Sequence, residues 1–127
     1  MRCSMLNLSL PYPPTLNTLY PTGKNNNRRF KSGKYKAWIK AAEAMFYEQH
    51  PHFLVASAPT TKGKVDVQMR FGRPDKRRRD LANLEKAVSD FLVHVGVIED
   101  DCLIESLFME WAPLTGCQVT VEEVSEK

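Results

Sequence analysis

Cysteine is scarce in this chain of 127 residues: Cys3, Cys102 and Cys117 are scattered, odd in number and without a CxxC pair. That pattern argues against a disulfide framework and against a structural zinc site. Long apolar runs are missing as well, so nothing reads as a membrane span. The opening MRCSMLNLSL alternates Leu6, Leu8 and Leu10 with polar residues, where a secretory leader would carry an unbroken apolar core. Glycine numbers only six, and neither GxxxxGK(S/T) nor GxGxxG occurs, which leaves nucleotide binding by a phosphate loop unsupported. No Ser/His/Asp arrangement stands out. What is present is 43% hydrophobic and 26% charged, enough for one packed core and too little bias for disorder. A folded chain of this size hides roughly two-thirds of its surface and needs no covalent staples. The expectation is a single cytoplasmic α/β domain over residues 1–127.

Charge is unevenly spread. Residues 24–86 hold sixteen of the eighteen Lys and Arg against six acids, a balance of +10. Residues 87–127 hold nine acids and only Lys127, a balance of −8 within a net +3. A basic face suits a polyanion, and an acidic cluster beside it suits a metal ion that handles phosphate chemistry. The plainer role for such blocks is to solvate two faces.

The periodicity predicts a small mixed sheet with two helices on one face, in the order β-α-β-α-β-β. A first strand follows Leu6, Leu8 and Leu10 and stops at Pro11-Tyr12-Pro13-Pro14. Residues 13–34 read as a loop with interspersed basic and aromatic residues. Ser32 is a candidate N-cap for a helix over about 33–49, with Tyr35, Trp38, Ile39, Ala42, Met45 and Phe46 at helical spacing and Pro51 as its stop. Val65, Val67, Met69 and Phe71 alternate with polar residues as a half-buried strand. A second helix carries Leu81, Leu84, Val88, Phe91, Leu92 and Val95 in one stripe, opposite Asn83, Lys86 and Asp90, and ends at Gly96. Two further strands, 103–111 and 117–124, are expected to form a hairpin through Pro113 to Gly116.

The densest chemical signal runs from Arg73 to Lys86, with six basic residues between Arg70 and Arg79. Such a run at the mouth of a helix can contact several phosphates at once, each contact releasing counterions. Asp80, at its end, suits either a helix N-cap bonded to the N–H of Ala82 or Asn83, or a metal ligand. Glu99-Asp100-Asp101 is either an exposed acidic turn or a second ligand site. A helix of about 15 residues is ~22 Å long, so this turn meets Asp80 only if the next strand runs back past the helix start, or across a dimer. His50-Pro51-His52 lacks a third ligand and reads as surface, and His94 as solvated. Pro74-Asp75 invites comparison with PD…(D/E)xK nucleases, but Glu85 and Lys86 are adjacent and the acid-x-lysine is missing. Tyr12, Tyr20 and Phe30 are the aromatics placed to stack on bases.

The string RRRDLANLEKAVSDFLVHVGVIEDDCLIES resembles the RusA family of Holliday-junction resolvases, small metal-dependent endonucleases of bacteria and their phages. The family pattern R-D-x-D-N-x-x-K, then an acid, a glycine and D-D, is met by Arg79, Asp80, Asn83, Lys86, Asp90, Gly96, Asp100 and Asp101. The segment L-P-Y-P-P-T-L-N is similar to the family's opening strand and turn. One position departs: the second acid, two residues after the first, is Ala82. On an extended backbone, acids at positions 80 and 82 would share a side and pair as oxygen ligands. Alanine there fits a deliberately inactivated variant, alanine being the usual replacement, or a natural member with lost or weakened catalysis.

The resemblance implies a homodimeric hydrolase of DNA recombination and repair that acts on branched DNA, with no small-molecule substrate. It implies that Asp80 and Asp101, with Asp100 assisting, hold Mg²⁺, which activates water and stabilises the departing 3′ oxygen. Lys86 would stabilise charge on the phosphate, so Asp80, position 82, Lys86 and Asp101 form the catalytic set. Arg73, Lys76, Arg77, Arg78, Arg79 and Asn83 would contact DNA. Two readings from other classes stand beside it: a non-catalytic protein that binds branched DNA, and an RNA-binding domain, which leaves the three aspartates without purpose.

Overall fold

The computed structural model describes residues 5–19, 31–54, 61 and 63–124. Four strands, β1 (Met5–Leu10), β2 (Val65–Phe71), β3 (Ile104–Trp111) and β4 (Cys117–Glu123), form one mixed sheet in the order β1-β4-β2-β3. β4 lies antiparallel to both neighbours, pairing Val119 with Leu8 and with Met69, while β2 and β3 run parallel with Met69 opposite Met109. The alternation in the sequence becomes one buried face: Leu8 and Leu10, Val65, Val67, Met69 and Phe71, and Cys117, Val119 and Val121. The opposite face is polar apart from exposed Met5 and Phe108, with Thr120 Oγ1 donating to Asn7 Oδ1 at 2.7 Å and Arg70 Nε to Glu110 Oε2 at 2.8 Å.

The helices cover the apolar face. α2 (Gly33–Gln49) starts where Ser32 Oγ accepts the Tyr35 N–H at 3.1 Å, the cap that its sequence predicts. It buries Tyr35, Trp38, Ala42 and Phe46, whereas Met45 faces solvent. The Trp38 and Phe46 rings both meet Phe91 of α3 (Glu85–His94), edge-on, with centroids 5.5 and 6.0 Å apart. Each fully buried side chain of this kind contributes about 1.5–3 kcal/mol of burial. At its far end α2 is tied to β1 by Gln49, which exchanges two hydrogen bonds with the Ser9 backbone, and by His50 Nε2, which donates to Asn7 O at 2.7 Å.

Three expectations change. The 13–34 stretch is not all loop: α1 (Leu16–Leu19) forms within it and buries Leu19 completely, four residues being too few to show a period. The helix expected from Leu81 begins as a 3-10 turn, Leu81–Leu84, before α3 proper. The hairpin is absent, because β2 separates β3 from β4. The connection instead crosses the end of β2, where Ala112 N donates to Phe71 O and Gly72 N to Gly116 O, both at 2.8 Å. β4, buried on its inner face, takes a central place between β1 and β2, while β3 carries exposed Leu107 and Phe108 and takes the edge. The crossing also fixes two glycines. A Cβ at Gly72 would stand 1.6 Å from Leu114 O, and Gly116 has φ +81° with a Cβ position 2.6 Å from Leu10 O.

Candidate nucleic-acid interface and active site

The basic run leaves the end of β2 and is exposed from Arg73 to Arg78. It is not a loose fringe of charge. Asp75 accepts from the Arg77 N–H at 3.0 Å, from Arg77 Nε at 3.2 Å, and from Arg79 Nε and Nη2 at 3.1 and 2.6 Å. The Arg79 guanidinium, followed by the Arg77 N–H, holds the Asp75 carboxyl far below the usual carboxylate range. Arg79 is in turn raised by the same contact. Arg73 lies over the Trp111 ring with its guanidinium 4.5 Å from the centroid, while Lys76 and Arg78 stand exposed. Tyr12 turns its hydroxyl inward, without a partner among the described residues, and its burial raises its pKa. It packs against the core; Tyr20 and Phe30, the other aromatics expected to stack on bases, lie outside the described residues.

Asp80 is the extended residue before the 3-10 turn, and its carboxylate makes no cap bond to the backbone. It accepts instead from Asn83 Nδ2 at 3.4 Å, because residues three apart are eclipsed in a 3-10 turn. For the same reason the expected extended pairing of positions 80 and 82 is not what the backbone offers: Ala82 sits exposed inside the turn. Farther along the same side, Lys86 Nζ meets Asp90 Oδ1 at 3.2 Å. The α-helical part is ten residues, about 15 Å, and β3 packs beside the 3-10 turn, so the strand does run back past the helix start within one chain.

The acidic turn is a built element. Asp100 accepts from the Cys102 N–H at 3.0 Å and caps the 3-10 turn Asp101–Leu103; that N–H is the main cause of its lowered pKa. Asp100 and Asp101 line a cavity of about 670 Å³ with Asp90, Val93 and His94 of α3 and Lys36, Ile39 and Glu43 of α2. His94 is not simply solvated: its Nε2 stands 2.8 Å from Glu43 Oε2 and ties the two helices together. Asp80 does not line this cavity.

Carboxylates are the right kind of donor for Mg²⁺, but their number falls short. Among the described residues no three His, Cys, Asp or Glu side chains stand together as a metal-holding group, His50 and His52 included. With alanine at position 82 the stretch from Asp80 to Lys86 offers only Asp80 and Glu85 as acids, and Glu85 already accepts from the Ser89 hydroxyl.

The model of the family described as endodeoxyribonuclease RusA matches residues 11–122. The chain belongs to the RusA family. Among its relatives, the crossover junction endodeoxyribonuclease of Enterobacteria phage HK97 is 34% identical over 92 residues, 72% of this chain and 70% of that protein. The RusA crossover junction endodeoxyribonucleases of Shigella sonnei and Escherichia coli K12 are 29% and 28% identical over 126 residues, covering 94% of this chain and 96% of each relative. The RusA match spans every site residue named from the sequence, Arg73 through Asp101.

Two parts of the site escape sequence reasoning. Asp75 reads in the sequence only as a nuclease-motif acid, although Asp-x-Arg-x-Arg spacing on a turn is the available signal for its clasp. The α2 wall of the cavity, Lys36, Ile39 and Glu43, has spacing i, i+3, i+7 on one helix side, yet nothing in the sequence says that this side faces the acidic turn.

Proposed function

We propose that this RusA-family chain is a Mg²⁺-dependent endonuclease that resolves four-way DNA junctions by paired symmetric nicks, as a homodimer, and that Ala82 leaves this copy catalytically weakened. The observation that carries the reading is the family match across residues 11–122, together with relatives named for crossover junction cleavage. The exposed run from Arg73 to Arg78 supports DNA as the ligand, since phosphate contacts supply most of the affinity of such surfaces. Asp80 and Asp101, with Asp100 beside it, supply hard oxygen donors of the type the metal needs, and an acid at position 82, inside the 3-10 turn, would add one more donor to that stretch. The reaction is hydrolysis of a phosphodiester: water adds to phosphorus, the P–O3′ bond breaks and the proton ends on the 3′ oxygen. For that step Arg77, Arg78 and Arg79 hold neighbouring phosphates and Lys86, steered by Asp90, presents positive charge along the same helix side.

Two nicks related by symmetry need two related sites, which a two-fold dimer supplies on a four-way junction. β3 supports that assembly: among the described residues it is an edge strand of the sheet, with Leu107 and Phe108 42% and 51% exposed.

The test is cleavage of a labelled four-way junction in Mg²⁺ by this chain and by Ala82→Asp, with junction binding scored without metal. Paired nicks from the aspartate variant, beside binding alone by the present chain, support the proposal. Binding by both and cutting by neither favours the second reading, a branched-DNA-binding protein without catalysis, for which Ala82 itself is the motivating observation. No preference for the junction over linear duplex sinks both.

A further inference from the structure

The cavity between α2 and α3 has two walls of opposite charge. Asp90, Asp100 and Asp101 stand on one; Lys31 and Lys36 stand on the other, beside Glu43, whose carboxylate is engaged by His94. Its volume of about 670 Å³ lies within the range of small-molecule and nucleotide pockets, and Tyr35, Ile39, Phe91 and Val93 give it an apolar lining between the walls. The run from Arg73 to Arg79, the obvious phosphate-binding element, contributes no residue to it. A phosphate brought to Asp100 and Asp101 therefore meets the three carboxylates of that wall, with Glu43 as a fourth in the lining, and must find its local positive charge elsewhere. His94 is engaged with Glu43, and Lys86 pairs with Asp90 and does not line the cavity. Lys31 and Lys36 remain. Both are exposed, and neither forms an ion pair among the described residues. An ammonium held on a helix opposite a carboxylate turn suits a phosphate as a point charge and leaves the strand free to slide until the correct linkage is seated.

We infer that Lys31 and Lys36 form a second phosphate-binding element, separate from the arginine run, which seats the DNA strand against the acidic turn. The assignment rests on the resolvase reading above and names residues that the family pattern does not contain. It gives the strand two anchor points, one at each end of α3: arginines at the helix entrance and lysines beside the turn that follows its exit.

The experiment is binding of a labelled four-way junction without metal, as a function of salt, by the chain as it stands and by Lys36→Gln, Lys36→Arg and Lys40→Gln. Lys40 is exposed on the same helix and does not line the cavity, so its variant removes the same charge from α2 without touching the proposed contact. Each lost phosphate contact makes the slope of log affinity against log salt shallower by about 0.9, equivalent to a ~3.5-fold smaller change between 50 and 200 mM salt. The expected result is that loss in Lys36→Gln, retention in Lys36→Arg and no change in Lys40→Gln, with circular dichroism unchanged throughout. Equal slopes for Lys36→Gln and Lys40→Gln, with junction preference intact, overturn the lysine assignment alone. A chain that prefers no junction over linear duplex overturns the resolvase reading and takes the assignment with it.

Discussion

Asp75 clasps Arg79 through both carboxylate oxygens, Nε at 3.1 Å and Nη2 at 2.6 Å, while the same carboxylate also takes Arg77. Two of the arginines best placed for DNA phosphates are thus partly neutralised in the free protein. A phosphate must displace the carboxylate or share the guanidinium with it. Asp75→Asn is expected to raise junction affinity at low salt and to steepen the salt dependence by about 1 in slope. An unchanged or shallower slope would mean that the clasp orders the loop for binding instead of competing with it.

The same clasp has a defined pH window. The folded pKa of Asp75 is depressed, so its contribution is complete above the ordinary carboxylate value and disappears as pH falls through the folded value. Between pH 5 and 8 the clasp therefore stays intact, and the effect of Asp75→Asn on binding is expected to be the same at both ends of that range. Measuring the ratio of wild-type to variant affinity at pH 5 and pH 8 checks this; a ratio that drifts toward one at pH 5 contradicts it.

Gly72 is the tightest point of the fold. The β3–β4 connection passes so close that a Cβ would sit 1.6 Å from Leu114 O, a backbone atom that cannot rotate away. Gly72→Ala is expected to cost ~3 kcal/mol or more and to lower the thermal midpoint by about 10 °C. Gly63→Ala, with nothing within 4 Å of the added atom, is the matched comparison and should remain near wild type. Urea unfolding of the two variants side by side decides it.

What the sequence makes legible, and what it hides, divides along a physical line. Period-2 and period-3.6 patterns report burial on one face, so β1, β2, α2 and the apolar side of α3 emerge directly from Leu8, Met69, Phe46 and Phe91. Strand order does not emerge, because Pro113 to Gly116 is short enough for a hairpin and equally able to cross one strand. The carboxylates Asp80, Asp100 and Asp101 are visible through a family pattern, but their surroundings depend on long-range placement. The 3-10 turn that displaces Ala82 from an extended register is one case, and the cavity that Lys36 shares with the acidic turn is another.

Cys117 offers a check on the core that is independent of DNA. Burial raises its pKa to about 12, whereas Cys102 is exposed. Thiolate is the reactive form, and at pH 8 it would be about one part in ten thousand of Cys117. In a Cys3→Ser, Cys102→Ser variant the remaining thiol is expected to ignore a disulfide reagent at pH 8 until urea unfolds the chain. Rapid labelling in the folded state would show that the β4 centre opens.

The edge of β3 makes the dimer proposal testable without any cleavage assay. Among the described residues its outward backbone groups have no strand partner, and Leu107 and Phe108, consecutive residues, place apolar surface on both sides of that edge. Both side chains are already exposed, so charging them costs the monomer fold little, about 1 kcal/mol for the pair. It does burden any strand-to-strand interface with facing like charges. Leu107→Glu with Phe108→Glu is expected to convert a dimer into a monomer by sedimentation at micromolar concentration. In the Ala82→Asp background it should turn paired nicks into single ones. Leu54→Glu, at an apolar residue 66% exposed outside the sheet, should leave the dimer intact. A parent chain that sediments as a monomer, or a doubly charged variant that keeps the dimer mass, places the assembly elsewhere and removes β3 from it.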